Sequence, residues 1–476
     1  MNKVYKAHPL MILSLMKPFL FVLVFPIIRG AIRYFTNKTI TGVIIIETLL
    51  FFIIAAVAIL RYRAFRLIID DDTITLKTGF IFVKRATISI SQLSSVESRQ
   101  NPLDTVFRSV TYSINTEAGR RNTPDFKFKL RKKDSKEISK IVYGDKETRR
   151  IKYSILKIAI LAATTSSAFT GLIIGVPVIN KAGDLFGIGL SKMLFDEINN
   201  VSNKFSLYFP PIVNVISLIF LLAYAVSFVY SLLKYINFRL RVNDDKLEVR
   251  SGFFVRSRIA FKRSSINNVR IEQTPLMRIF RRYAMKVSVG GYGDSKGESE
   301  VIVPAESLKD IKEDFKDYFP FLSPNGKAIR APKNLFTQSR FLFFPAVLLI
   351  LVAVVSIFLA YIFEDFGKLI LFLSFLSLIS VFYFAYISLS IHRLGKIRLG
   401  ETIFAHSIKG LRMCRMYCPK ENIGQIKITR FFTDFSQNTC RVKLTVRSEN
   451  ADTIKLKMLD YGEVKEEIKK CFDIEV

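Results

Sequence analysis

Histidine and cysteine are scarce in this chain. There are three histidines (His8, His392, His406) and four cysteines (Cys414, Cys418, Cys440, Cys471), the latter all near the C-terminus. Cysteines placed so make no secreted disulfide framework and suit a reducing cytosol. Cys414, Cys418 and Cys440 with His406 superficially resemble zinc ligands, but the apolar setting of "LRMCRMYC" fits buried strand cysteines better. No Gly-rich phosphate loop, nucleophile elbow or metal-binding helix motif occurs, so neither an enzyme nor a cofactor is expected. Nucleic-acid motifs are missing too, and nucleic acid is not an expected partner. The basic N-terminus soon turns apolar without an A-x-A site, which points to a retained span rather than a signal peptide.

What the chain has is apolar bulk and positive charge. Its 476 residues are 50% hydrophobic, yet 71 Lys+Arg stand against 40 Asp+Glu, a net charge of +31. Segregation reconciles the two, with apolar blocks inside a membrane and basic blocks outside it. Six stretches have the roughly 20 apolar residues that a helical crossing needs: 10–28, 40–60, 154–179, 206–233, 341–362 and 368–390. They predict transmembrane pairs within 1–61, 151–235 and 331–391, each followed by a polar block: 62–150, 236–330 and 392–476. Those blocks carry net charges of +8, +7 and +6. Even numbers of crossings put all three on one side, and the positive-inside rule makes that side, with both termini, cytoplasmic.

The first two blocks are copies. Residues 65–119 set against 238–292 share Phe65/Phe238, Asp71/Asp244, Asp72/Asp245, Gly79/Gly252, Phe80/Phe253, Arg85/Arg258, Gln100/Gln273, Pro102/Pro275 and Phe107/Phe280. The third is a faint copy, in which "ENIGQIKI" follows the spacing of "SSINNVRI". Such repetition suggests duplication of a module of two spans and one soluble domain. "DKLEVRSGFFVRSRIAF" alternates at period two around a Ser-Gly turn, which predicts a hairpin. Each block closes on a helical pattern, "SKEISKIVYG", "AESLKDIKEDFKDYF" or "DYGEVKEEIKKCF". Antiparallel strands capped by one helix predict a small barrel or sandwich. The fold class expected is thus a six-span α-helical membrane protein carrying three such domains.

The strand–"SG"–strand opening, the following "I-x-x-V" and the "Q-x-P-L-x-R-x-F" turn resemble the bacterial pleckstrin-homology (PH) domain of the second type. The whole layout resembles the YdbT family of membrane proteins. Block one departs at Thr105, and block three lacks the Pro and Leu, which puts the role of its turn in doubt. The resemblance implies a seven-stranded PH barrel with a C-terminal helix, no enzymatic activity, no cofactor, and association with a smaller one-domain relative.

Leu103/Phe107 and Leu276/Phe280 are spaced i, i+4. Inward packing of a short helix is the expected use of such a pair, with a membrane- or partner-facing turn as the alternative. Arg278, Arg281 and Arg282 surround the second copy. The hairpin before it gathers Arg250, Arg256, Arg258, Lys262 and Arg263 beside Phe253 and Phe254. Those eight basic residues form a candidate surface for anionic lipid headgroups or a partner, against the plain reading of juxtamembrane solvation. Within the spans, Lys17 and Glu47 predict a buried ion pair between helices, with snorkelling or a transport role as alternatives. Thr164, Thr165, Ser166 and Ser167 predict close helix contact. Lys157 is expected to snorkel, and the connector 184–201 to lie flat in the outer interface.

These readings converge on a non-enzymatic scaffold of a bacterial inner membrane. It would present basic PH-like domains to the cytoplasmic leaflet for assembly with a partner or with further copies. The resemblance alone adds an envelope-stress or antimicrobial-resistance setting. The rival is a transporter or lipid-handling protein gated by those domains, for which few polar residues line the apolar stretches.

Overall fold

The computed structural model describes residues 3–20, 41–70, 72–80, 82–117, 124–143, 149–186, 189–204, 211–243, 245–290, 300–332, 335–362, 367–447 and 453–473. The chain divides into two compact units. One comprises Met1–Ile151, Arg239–Ile266 and Val289–Glu298, and the other Lys152–Phe238, Asn267–Ser288 and Ser299–Val476.

In the first unit a four-stranded antiparallel sheet runs β1 (Lys3–Tyr5), β2 (Arg66–Ile69), β3 (Thr73–Thr78), β4 (Lys84–Ser89). Between β3 and β4, Gly79 sits at φ +99°, and a Cβ there would lie 2.0 Å from the Phe82 carbonyl oxygen. Only glycine fits so tight a reversal. Next come β5 (Leu93–Gln100), β6 (Ser109–Thr116) and β7 (Phe126–Arg131). The pattern "FKFKL" of β7 buries Phe126, Phe128 and Leu130 on one face, as period-two alternation requires. They meet Phe65, Leu67, Ile74 and Tyr112 in one core. The extreme N-terminus belongs to that core: Lys3 pairs with Ile69, and Tyr5, Ala7 and Met11 are buried there.

Neither of the next two sheets respects the boundaries of the repeat. The segment just ahead of the second apolar pair supplies β8 (Arg149–Lys152), and block two supplies β9 (Arg239–Val242), β10 (Lys246–Ser251) and β11 (Arg256–Lys262). These continue the last three strands of block one as a seven-stranded sheet, β7-β6-β5-β11-β10-β9-β8. The second unit repeats the device. There β12 (Ile266–Gln273), β13 (Tyr283–Val289), β14 (Glu300–Glu306) and, from the end of block two, β15 (Ala328–Arg330) join β16 (Lys396–Arg398), β17 (Thr402–Lys409) and β18 (Arg412–Pro419) of block three, in the order β14-β13-β12-β18-β17-β16-β15. A last sheet holds β19 (Ile423–Thr429), β20 (Thr439–Val446) and β21 (Thr453–Asp460), closed by the helix Tyr461–Phe472. Asp460 caps that helix by accepting from Glu463 N at 3.0 Å, and its Val464 and Ile468 enter a core with Ile397, Met416, Leu444 and Leu456.

The expectation of six spans in three pairs is overturned. Among the described residues two helices are long and apolar enough to cross a membrane, Asn214–Tyr235 and Ser377–Leu394, or three if the bent pair Ile155–Thr165 and Ala168–Val176 is one span. Three physical reasons stand out. In the first stretch Met11, at the start of the helix Met11–Leu20, packs into the core with Phe65 and Leu67. The third stretch breaks by 92° at Ser166-Ser167. There Thr164, Thr165 and Ser166 hydroxyls donate back to the Leu161 and Ala162 carbonyls at 2.6–3.2 Å, a bonding pattern that bends helices. In the fifth stretch the helix Leu335–Ile362 has Pro345 inside it, and its apolar part among the described residues is Pro345–Leu359.

Helix contact at the hydroxyl run does occur. Ser167 N donates to Ser227 Oγ at 3.1 Å, and Tyr224 Oη donates to the Ala163 carbonyl at 2.7 Å. Lys157 does not snorkel alone, for it pairs with Glu306. On the connector helix Leu190–Lys204, Met193 and Phe195 are exposed and Ile198 is buried. Lys17 is exposed, while the Glu47 side chain lies outside the described residues, and with it the expected pair.

Candidate membrane-facing surface

In each block a short helical turn links the strands on either side of the Pro-Leu phrase or its counterpart: Pro102–Val106, Pro275–Ile279 and Phe432–Phe435. One residue at the same repeat position anchors each turn inward: Asp104, Met277 or Asp434. Asp104 accepts from Ser109 Oγ and Lys129 Nζ, both at 2.5 Å, and from Asn101 N at 3.2 Å. Burial raises its pKa, but the bonds from Lys129, Ser109 and Asn101 outweigh that and hold the carboxyl below its usual range. The chain leaves each turn through a left-handed residue, Arg108 (φ 54°), Arg281 (φ 52°) or Asn438 (φ 49°).

With the anchor inside, the apolar residues of the turn face out. Leu103, Val106 and Phe107 are exposed in the first turn, Ile279 and Phe280 in the second, and Phe431, Phe432 and Phe435 in the third; Val106 and Ile279 are 74% and 76% exposed. Inward packing of the Leu/Phe pair is thereby corrected. In the first copy Leu103 and Phe107 share the outer face, while in the second Phe280 is exposed and Leu276 half-buried. Three apolar tips at one repeat position are not scattered surface residues.

The second turn touches a candidate span. The Arg278 guanidinium lies 5.9 Å from the ring centre of Tyr386, on the helix Gly367–Leu394, and Nη1 donates to the Tyr386 hydroxyl. Its Nε and Nη2 are buried with no hydrogen-bond partner among the described residues. Beside it, Arg282 donates to Glu306 at 2.9 Å, and the second oxygen of Glu306 takes Lys157 from the helix Ile155–Thr165. Arg281 is exposed.

The five basic residues of the β10–β11 hairpin do not form one open patch. Arg258 grips both oxygens of Glu248 at 2.7 Å, and Arg250 pairs with the same carboxylate. Burial pushes the Glu248 pKa up, but the bonds and charge of Arg258 and Arg250 outweigh it and bring it below the usual value. Lys262 donates to the Ser91 carbonyl at 2.8 Å, and Arg263 is half-buried. Arg256 remains exposed, near the exposed Phe253 and Phe254 rings, which meet edge-on with centres 5.0 Å apart.

A basic cluster that sequence reasoning missed lies where blocks two and three share a sheet. Pairing of Ala260 with Val96 and of Tyr417 with Val269 fixes equivalent positions, so Phe404, opposite Tyr417, stands where Glu248 stands in block two. The acid is gone, but cations remain: Lys312, Arg330, Lys396, Arg398 and Arg415. Lys312 lies 6.0 Å from the Tyr417 ring centre, Lys396 5.7 Å from Phe404, and Arg415 5.3 Å from Tyr283. Burial and then the neighbouring cations lower the pKa of Lys312 and Lys396. His406 is buried among them, with neither ring nitrogen hydrogen-bonded among the described residues, and burial, Arg415 and Lys396 push its pKa down to about 3. Among the described residues no carboxylate pairs with the lysines or with Arg415. The available signal was Phe404 in the register of Glu248, visible only once the strands are paired.

Cys418 and Cys440 are fully buried, and burial pushes the Cys440 thiol up to about 12. Among the described residues no group of three or more His, Cys, Asp or Glu is placed to hold a metal ion.

A family profile described as a bacterial PH domain matches residues 15–146 and 188–318, together more than half of the chain. Block three lies outside both matches. Among curated proteins the chain is similar to the UPF0699 transmembrane protein YdbT of Bacillus subtilis (strain 168), 20% identical over 331 residues, which are 63% of this chain and 65% of that protein. The chain thus matches somewhat less than two thirds of that relative's length. No solved structure matches it.

Proposed function

This chain belongs to the bacterial PH domain family, and on that premise we propose that it is a non-enzymatic scaffold of a bacterial inner membrane. Its PH modules lie against the cytoplasmic leaflet, which they touch through their apolar turns. The observation that carries this reading is the repeated turn, which anchors one side chain and exposes the apolar rest. Arg278 supports the orientation, because it joins the second turn to a helix apolar enough to span. An excess of basic residues in all three blocks favours the cytoplasmic side. At that surface each basic residue gains roughly 1 kcal/mol from anionic lipid. The cations gathered around Phe404 and Tyr417 would then meet phosphate groups. Partners assembled there would include further copies of the chain or a smaller one-domain PH-like membrane protein.

The sequence contains no tryptophan, so one introduced indole is a unique reporter. Phe107→Trp, Phe280→Trp and Phe432→Trp variants of the full chain are placed in nanodiscs with ordinary or brominated acyl chains. Bromine should quench all three indoles, whereas Phe82→Trp, on the exposed β3–β4 hairpin, serves as a comparison. Unquenched emission from all three turns would refute the leaflet contact.

A further inference from the structure

The two shared sheets follow one rule. The outer strand of a module's first sheet pairs with the outer strand of the preceding module's second sheet, as β11 pairs with β5 and β18 with β12. The register is the same in both. Gln100 faces Arg256 and its repeat equivalent Gln273 faces Met413; Ser98 faces Arg258 and its equivalent Ile271 faces Arg415. Applied to the ends of the chain, the rule leaves one strand of each kind over. β4 is the counterpart of β11 and β18, and β19 the counterpart of β5 and β12. Among the described residues β4 pairs only with β3, and β19 only with β20. Their exposure agrees. Ala86 and Thr87 of β4 are exposed where their equivalents Ile259 and Ala260 of β11 are buried, and β19 buries no residue where β12 buries five.

We propose that β4 of one copy pairs antiparallel with β19 of another, so that copies join head to tail by the junction already used twice within each chain. The register follows from the internal pairs: Lys84 faces Thr429, Arg85 faces Ile428, and Thr87 faces Ile426. The contact is heterologous, because the two strands are different surfaces. It therefore builds a ring where the rotation closes and a filament where it does not. Lys84, Arg85, Lys427 and Arg430 put like charge on both edges, a device that also blunts unwanted pairing. Screening of that repulsion makes moderate salt strengthen the association. The inference stands apart from the leaflet contact, since it needs only the two edges.

The test uses full-length chains carrying two different tags, mixed in mild detergent. One carries Lys84→Cys and the other Thr429→Cys, both exposed positions, with the native four-cysteine chain in parallel. Directly opposed residues have Cβ atoms about 4.5–5.5 Å apart, close enough for an oxidant to link them after a small shift. A tag-to-tag disulfide is expected for this mixture and not when Gln425→Cys replaces Thr429→Cys, four residues or about 13 Å along the strand. Light scattering of the unmodified chain should show a mass that rises with concentration and with moderate salt. Equal linking at Gln425, an oligomer that never forms the 84–429 disulfide, or a monomer at every concentration would each overturn the proposal.

Discussion

At the scale of single residues, the distinction that matters is between charges that are answered and charges that are not. Arg258 and Glu248 were both visible in the sequence, but their pairing across a hairpin was not, because alternation assigns a face and not a partner. His406 is the sharpest case. Its proton affinity is lower in the folded chain, with a pKa of about 3, than the ordinary 6.5 of the unfolded one. The unfolded state therefore takes the proton first as pH falls. The stabilisation is complete above about pH 6.5 and declines from there towards pH 3. His406→Leu removes this penalty without adding charge. Thermal melts of the full chain followed by circular dichroism between pH 7 and 5 should show the variant losing less stability than the parent. Parallel losses would show that His406 is readily protonated in place.

At the scale of elements, the strands and their turns were legible and the helices less so. Gly79 and Gly252 mark reversals in which a side chain would strike the backbone, so the Ser-Gly and Thr-Gly hairpins follow directly from sequence. Hydropathy over a window cannot register the hydroxyl-bonded break at Ser166-Ser167, nor that Met11 belongs to a soluble core. The helices after that break pack by close approach. A Cβ on Gly171 would lie 1.5 Å from the Ala223 carbonyl oxygen, whereas one on Gly175 would meet Val226 at an ordinary 3.5 Å. Gly171→Ala should therefore lower the unfolding temperature of the solubilised chain by several degrees, and Gly175→Ala should leave it nearly unchanged. Thiol labelling during a thermal ramp reads this out, because Cys418 and Cys440 are shielded until the fold opens. Equal melting of the two variants would contradict the close packing.

At the scale of the molecule, the repeat in sequence is not the unit of structure. Phe65/Phe238 and Gln100/Gln273 align two copies well, yet block two gives three strands to one sheet and four to another. Nothing in a period-two pattern names the neighbouring strand, since β5 beside β11 and β5 with a bare edge have the same sequence. Residues 236–330 cut out alone would lose the neighbours of both β11 and β12. That fragment should fail to unfold cooperatively in urea and should aggregate through its bared edges. A monomeric, cooperatively folding 236–330 fragment would show that the shared sheets are dispensable.

Shared strands also impose an order on the making of the protein. At roughly 5–20 residues per second, β11 follows β5 out of the ribosome by roughly 10–30 s. The helices Ile155–Thr165 through Pro211–Tyr235 are translated in that interval. The first seven-stranded sheet thus waits for the intervening apolar helices to find their place, and the second waits in turn for Gly367–Leu394. A chain that stalls or is clipped between modules carries an unfilled β5 or β12. Such a nascent product displays its incompleteness to the chaperones and proteases that survey new membrane proteins.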